Sequence, residues 1–225
     1  MVEDRHLRAA LHNALEKSSV VTLSDCKILT QTSHPTHAAV ALSSSTTVTA
    51  ALLVGADGRN SSTAKAAGLT RAGWEYGQSS LVCAIAHDKP HKGIAHQYFM
   101  PSGPLAILPL TQNRSGTVWT EKTETAQNIH ALTDADYLDV LRPRFGTFLG
   151  DISLAGDRYI YPLSLSTTYR MIASRVALVG DAAHAVHPIA GQGLNSGFKD
   201  VAALAQVLCD TKRRGQDLGT QTSLE

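Results

Sequence analysis

An aspartate follows directly on an apolar run in RVALVGDAAHAVHPIAGQGLNSGFKDVAALAQVL, residues 175–208. A proline and a Gly-x-Gly come next, and only then a long helical pattern. This order suits main chain held against a ligand. Residues 176–179 read as a buried strand, Gly180 permits a tight exit, and Asp181 arrives at the strand's carboxyl end, where open α/β sheets keep their ligand crevice. A carboxylate there can accept hydrogen bonds from the hydroxyls of a sugar or polyol chain. Pro188 stiffens the segment, while Gly191 and Gly193 carry no side chain to hold a flat ligand off the backbone. Asn195 and the exposed amides lie at the positive end of the helix that starts from Leu194, which can stabilise negative charge. Taken alone, Asp181 also suits a turn or helix cap, and Gly-x-Gly a turn without a ligand. His184 and His187 have HxxH spacing but no evident third ligand, so a packed or hydrogen-bonded pair is expected and no metal site is assigned.

A second acidic loop, LLVGADGRNSS at residues 52–62, sets Asp57 between Gly55 and Gly58 at another strand exit. Two such exits are far more specific than one. Around them the chain alternates in style. Leu7, Leu11 and Leu15 mark an amphipathic helix over residues 4–17, and residues 20–23 and 26–29 read as short strands. A hairpin turns at residues 43–45, and STAKAAG forms a short helix closed by Gly68. From about residue 73 the β-rich runs SLVCAIAH, IAHQYFM, PLAILPL and TVWTE, separated by Pro, Gly or polar residues, indicate an antiparallel sheet. Residues 134–149 have helical spacing that Pro143 should break or kink. The final helix runs from Leu194 to about residue 213 with Leu194, Phe198, Val201 and Leu204 or Ala205 on one side. The expected fold class is α/β (α+β overall): a partial Rossmann-like nucleotide-binding domain at residues 1–72 and 166–225, interrupted by a mostly antiparallel substrate domain at residues 73–165.

Composition narrows the function classes. The 225 residues, 43% of them apolar, can bury one sizeable core or two small ones. Twenty Lys and Arg balance nineteen Asp and Glu, which leaves no field to attract nucleic acid. No apolar run approaches the roughly 20 residues of a membrane span, and the first residues lack a signal-peptide core; the expectation is a cytoplasmic protein. Cys26, Cys83 and Cys209 suggest neither a disulfide framework nor a zinc site.

The two loops carry a resemblance. LLVGADGRNS resembles the DG motif, and VALVGDAAHAVHPIAGQGLNSGFKDVAAL the GD motif, of FAD-dependent aromatic-ring monooxygenases with the p-hydroxybenzoate hydroxylase fold. With YGQSSLVCAIAH, GPLAILPL and RGQDLG, the likeness extends to the ubiquinone-biosynthesis hydroxylases. It implies that Asp181 binds the ribityl chain of FAD, that Pro188, Gly191, Gln192, Gly193, Leu194 and Asn195 lie beside the flavin ring with Pro188 lining the oxygen-adduct site, and that Asp57 helps to place the pyrophosphate and influences NAD(P)H use. It also implies hydroxylation of a prenylated phenol with NAD(P)H and O2 through an oxygen adduct at flavin C4a, so no side chain is assigned a catalytic role. The substrate would lie between the inserted sheet and the flavin, with Tyr98, Phe99, Leu108 and Trp119 as wall or core residues. Association with the membrane periphery or a ubiquinone-biosynthesis complex is a further expectation. The alternatives are a non-catalytic truncated fragment, or a flavin-dependent halogenase or prenyl reductase.

The chain departs from that family in three respects, one of them near the start of the first helix, where some relatives have an FAD-contacting arginine and Asp4 or Arg5 falls here without an assigned role. No GxGxxG precedes Gly55, so the sequence is expected to be a piece of a longer protein that on its own binds FAD weakly or not at all and tends to aggregate. Many members have Arg three positions after the DG-motif serine, where this chain has Ala64.

Overall fold

The computed structural model describes residues 2–225, the side chain at 190 excepted. In chain order the first elements are α1 (Asp4–Glu16), β1 (Ile28–Ser33), β2 (Ala38–Leu42), β3 (Thr47–Ala50), β4 (Leu53–Gly55), α2 (Ser62–Ala66) and β5 (Arg71–His87). Then come β6 (His96–Met100), β7 (Gly103–Pro109), β8 (Arg114–Lys122), α3 (Thr123–His130), α4 (Asp134–Phe145), β9 (Ile152–Leu154) and β10 (Tyr159–Thr168). The last are β11 (Ile172–Ala173), β12 (Val176–Leu178), β13 (His184–Ala185), α5 (Gln192–Arg213) and α6 (Gln221–Leu224). They make a mixed α/β protein of two compact units, residues 2–22 with 75–163 and residues 23–74 with 164–225. The unit boundaries fall inside β5 and β10.

The first unit is an antiparallel sheet covered by helices. β5 pairs β8 from Gln78↔Lys122 to Ala86↔Arg114, β8 pairs β7 around Trp119↔Leu105, and β7 pairs β6. Alternate β5 residues Leu81, Cys83 and Ile85 face inward, as the two-residue period of a strand demands. They meet Leu105, Ile107 and Trp119 from the neighbouring strands and Ala126, Tyr137, Leu141 and Phe145 from α3 and α4. Trp119 is fully buried, its indole N–H donating to Glu121 Oε1 at 3.0 Å; it fills the core and forms no open wall, whereas Phe99 is 76% exposed. Thr133 caps α4 by accepting from the Asp136 amide, and the helix passes through Pro143 to end at Phe145. Pro143 sits in the last turn, where one missing amide bond costs little continuity, so the kink expected from the sequence becomes a stop two residues later. Helix α1 belongs to this unit through Glu3, whose carboxylate accepts from Thr111 Oγ1 at 3.3 Å and Arg114 at 3.5 Å.

The second unit carries both acidic loops. β1, β2 and β3 form an antiparallel meander. β12 runs parallel to β4 with Val176↔Leu53, Ala177↔Val54 and Leu178↔Gly55, and β11 flanks β12. Beneath the parallel pair, Ala64 of α2 packs with Val176, Leu178, Ala182 and Ala183. Gly68, at φ +68°, closes α2 as expected, with the Gly68 and Leu69 amides returning to the Lys65 and Ala64 carbonyls. Residues 20–23 are not a strand: no partner pairs them, and Val20, Val21 and Leu23 lie exposed. The RGQDLG segment is anchored by Arg175. This side chain is 1% exposed, donates bidentately to Asp217 at 2.5 Å, and reaches the carbonyls of Ala51 and Pro35. In α5 the apolar side holding Leu194, Phe198 and Val201 faces outward, at 58%, 44% and 51% exposure. The side that packs is instead lined by Gly197, Asp200, Leu204, Leu208 and Thr211. None of the described helices is long and apolar enough to cross a membrane.

Candidate functional site

The register of the parallel pair brings the two acidic loops together. Gly55 lies opposite Leu178, and the Val179 amide continues the ladder to the Gly55 carbonyl at 3.0 Å. Residues 56–59 and 180–182 therefore leave neighbouring strands at the same carboxyl-terminal end, the ligand side of an open α/β sheet. The guanidinium of Arg59, in the first loop, approaches the Asp181 carboxylate of the second at 3.9 Å and donates to Ser164 Oγ at 3.2 Å.

The two aspartates are not equivalent. Asp57 turns inward: it accepts from Ser61 Oγ at 2.6 Å, Ser62 Oγ at 3.2 Å, and both the amide and hydroxyl of Thr63 at 3.0 Å. Ser61 itself caps α2 by accepting from the Ala64 amide at 2.9 Å. Burial pushes the Asp57 carboxyl up, but the bonds from Ser61 and Thr63 outweigh it and hold the group below the ordinary carboxylate value. Both carboxylate oxygens are thus engaged in starting α2. Gly55 is likewise an internal packing residue, since a Cβ there would lie 2.7 Å from Leu178 Cδ2 and 2.8 Å from Thr63 Cγ2. Gly58, at φ +80°, makes the turn between them and faces open space.

Asp181 is turned outward, its side chain 46% exposed, while the main chain around it is fixed. Arg71, at the start of β5, donates to the carbonyls of Asp181 (3.2 Å) and Ala182 and to Ser166 Oγ (3.0 Å). Asp200 on α5 accepts from the Gly180 amide at 2.8 Å and from His184 Nε2 at 2.7 Å. Because a carboxylate only accepts, Nε2 of His184 carries the proton. α5 packs directly on this turn: a Cβ at Gly197 would stand 3.3 Å from Gly180 Cα.

The approach to α5 is open where the sequence places ring contacts. Gly191 caps the helix in a left-handed conformation, φ +63°, with no side-chain hydrogen bond to the first-turn amides. A Cβ at Gly191 or Gly193 would meet nothing within 4 Å. Pro188 and Leu194 are exposed, and Asn195 Nδ2 donates back to the Gly191 carbonyl at 3.3 Å. His187, next to Pro188, is held below the ordinary histidine value by burial. Sequence reasoning missed Arg59, Arg71 and Asp200. For Asp200 a signal existed: Gly197 and Asp200, three apart, share one helix face beneath the turn. For Arg71 there was none, because β5 starts far along the chain from the loop it holds.

An exposed carboxylate acceptor, a helix start whose cap residue Gly191 supplies no side-chain bond, and two glycines where a Cβ would meet no described atom within 4 Å form a set suited to a polyol-linked flat ring. Comparison with known proteins points the same way. The chain is 41% identical over 225 residues to ubiquinone hydroxylase UbiL of Rhodospirillum rubrum, all of this chain against 52% of that one. It is 32% identical over 219 residues to the mitochondrial ubiquinone biosynthesis monooxygenase COQ6 of Rattus norvegicus, 82% of this chain and 46% of that one. The chain thus spans about half the length of these curated relatives. The crystal structure of PqsL, a probable FAD-dependent monooxygenase from Pseudomonas aeruginosa, shares the fold with a TM-score of 0.76 at 22% identity, over 96% of this chain and 62% of that one. A sequence model described as an FAD binding domain matches residues 6–219, and on that match the chain belongs to the FAD binding domain family.

Proposed function

We propose that this chain forms the flavin-holding part of an FAD-dependent monooxygenase that hydroxylates the ring of a prenylated phenol in ubiquinone biosynthesis. The observation that carries the reading is Asp181: an outward carboxylate on a main chain fixed at the end of a parallel strand pair and packed against α5. The residues present fit FAD. Asp181 would accept hydrogen bonds from the ribityl hydroxyls, and Arg59, 3.9 Å away, leaves that carboxylate accessible. A ring edge would lie on Pro188, Gly191, Gln192, Gly193, Leu194 and Asn195, where no Cβ stands at 191 or 193. The first-turn amides of α5 would stabilise negative charge on that edge. Asp57 would act on the pyrophosphate only through the loop it shapes, since its own oxygens bind Ser61, Ser62 and Thr63.

When bound, the flavin supplies the redox chemistry: NAD(P)H gives two electrons, one oxygen atom of O2 enters the ring, and the other leaves as water. The chain's own residues hold and orient the cofactor. The identity to UbiL and COQ6 supports a prenylated phenol as substrate, and such a substrate favours work at a membrane periphery or within a biosynthetic assembly. The test is flavin titration of the chain and of Asp181→Ala, followed by NAD(P)H oxidation with and without a prenylated phenol. Binding that weakens on Asp181→Ala and oxidation that depends on the phenol are expected. Equal flavin affinity in the two proteins defeats the reading.

A further inference from the structure

We infer that Arg71, His184 and Asp200 are positioning residues of this site, gripping the main chain of residues 180–182 so that the Asp181 carboxylate is presented outward in one direction. The inference rests on the flavin reading above and adds to it the residues that aim the acceptor. The turn is held from two sides. Arg71 takes the carbonyls of Asp181 and Ala182 with its two terminal nitrogens and braces its Nε on Ser166. From the other side, one oxygen of Asp200 receives both the Gly180 amide and the His184 imidazole. The Gly180 carbonyl is taken by the Ala183 amide at 2.8 Å, and the Ala183 carbonyl by the Thr168 amide at 2.8 Å.

The polar main-chain groups named here are therefore engaged, while the Asp181 side chain looks outward. The side chains of His184 and Asp200 are only 15% and 19% exposed, so their bond is shielded from competing water. Gly197 lets the helix come close enough for Asp200 to reach the Gly180 amide, an approach that a side chain at Gly197 would crowd. A ligand-binding acceptor displaced by even an ångström loses much of its worth, which is why such side chains are braced by neighbours. None of the three residues need touch the ligand.

The experiment uses the whole chain with FAD as probe, and reads the flavin dissociation constant together with hydrogen exchange of the Gly180 amide. Asp200→Leu removes both acceptor bonds while keeping the side-chain branching, Arg71→Met removes the carbonyl grip, and Asp200→Asn keeps one acceptor oxygen. Asp200→Leu and Arg71→Met are each expected to weaken FAD by about tenfold or more, as loss of charge-assisted bonds to the loop implies. The Gly180 amide should exchange faster in Asp200→Leu, and Asp200→Asn should recover part of both effects. Circular dichroism monitors the fold; where Asp200→Leu unfolds, Asp200→Asn and Arg71→Lys carry the comparison. Folded variants that keep FAD affinity within about twofold of the parent, while Asp181→Ala loses it, overturn the positioning role and leave the flavin reading standing. A parent chain that binds FAD equally well after Asp181→Ala removes both.

Discussion

Gly193→Ala should move stability and binding in opposite directions. Gly193 lies in the first turn of α5, and a Cβ there meets no atom within 4 Å. Alanine in a helix is favoured over glycine by about 0.5–1 kcal/mol, because it restricts the unfolded chain and has the higher helical propensity. For a protein of this size that corresponds to about 1–4 °C in melting temperature. The same methyl would project onto the surface proposed to carry the flavin ring. Forcing an extra carbon into a close contact costs roughly 1–3 kcal/mol, which weakens binding about fivefold to more than a hundredfold. Thermal melting by circular dichroism and FAD titration of the same samples measure the two quantities. Gly55→Ala is the internal control: its Cβ would strike Leu178 and Thr63, at 2.7 and 2.8 Å, so it should lower stability by about 1–3 kcal/mol. A Gly193→Ala protein that melts lower than the parent, or that binds FAD unchanged, refutes the assignment of this surface as open and ligand-facing.

The remaining predictions concern the supports of the site and the sheet unit. Ser61→Ala removes the cap on the Ala64 amide and the short bond to Asp57, and should cost about 1 kcal/mol in urea unfolding; an unchanged midpoint would contradict the capping role. Asp57 is held low by the bonds from Ser61 and Thr63 that outweigh its burial, and Asp217 chiefly by the bond from Arg175, aided by the Gly219 amide. A carboxyl group with a depressed folded pKa adds stability that is full above the ordinary value of about 3.9 and is lost as pH falls through the folded value. Unfolding free energy should therefore decline below about pH 5, with a shallower decline in Asp217→Asn; a flat profile would count against both pairs. In the sheet unit, Phe145→Ala empties a fully buried site and should cost about 3–5 kcal/mol, measured by chemical denaturation.

Periodicity carried the sequence reading where one face of an element is dry. The strands around Leu81, Leu105 and Trp119 and the buried run Val176–Leu178 stand out for that reason. It failed where burial is thin. α3 reads TETAQNIH, and only Ala126 and Ile129 turn inward, too few to announce a helix. VVTL has strand composition but no partner, and composition cannot supply one. In α5 the large apolar residues were visible, yet the packed side is made of Gly197, Asp200 and Thr211 among its leucines, because a close approach to the Gly180 turn needs small side chains and an acceptor. The conspicuous stripe of a helix and its working face can be different faces.

The divergent fates of Asp57 and Asp181 follow from what comes after each. Downstream of Asp57 the chain reads Gly-Arg-Asn-Ser-Ser-Thr, so three hydroxyls and a helix start come within reach of the carboxylate, and local bonds to them compete with any ligand. Downstream of Asp181 stand Ala182 and Ala183, both fully buried and without polar side chains, and the next polar residue, His184, is taken by Asp200. No local donor is left to draw the Asp181 carboxylate inward.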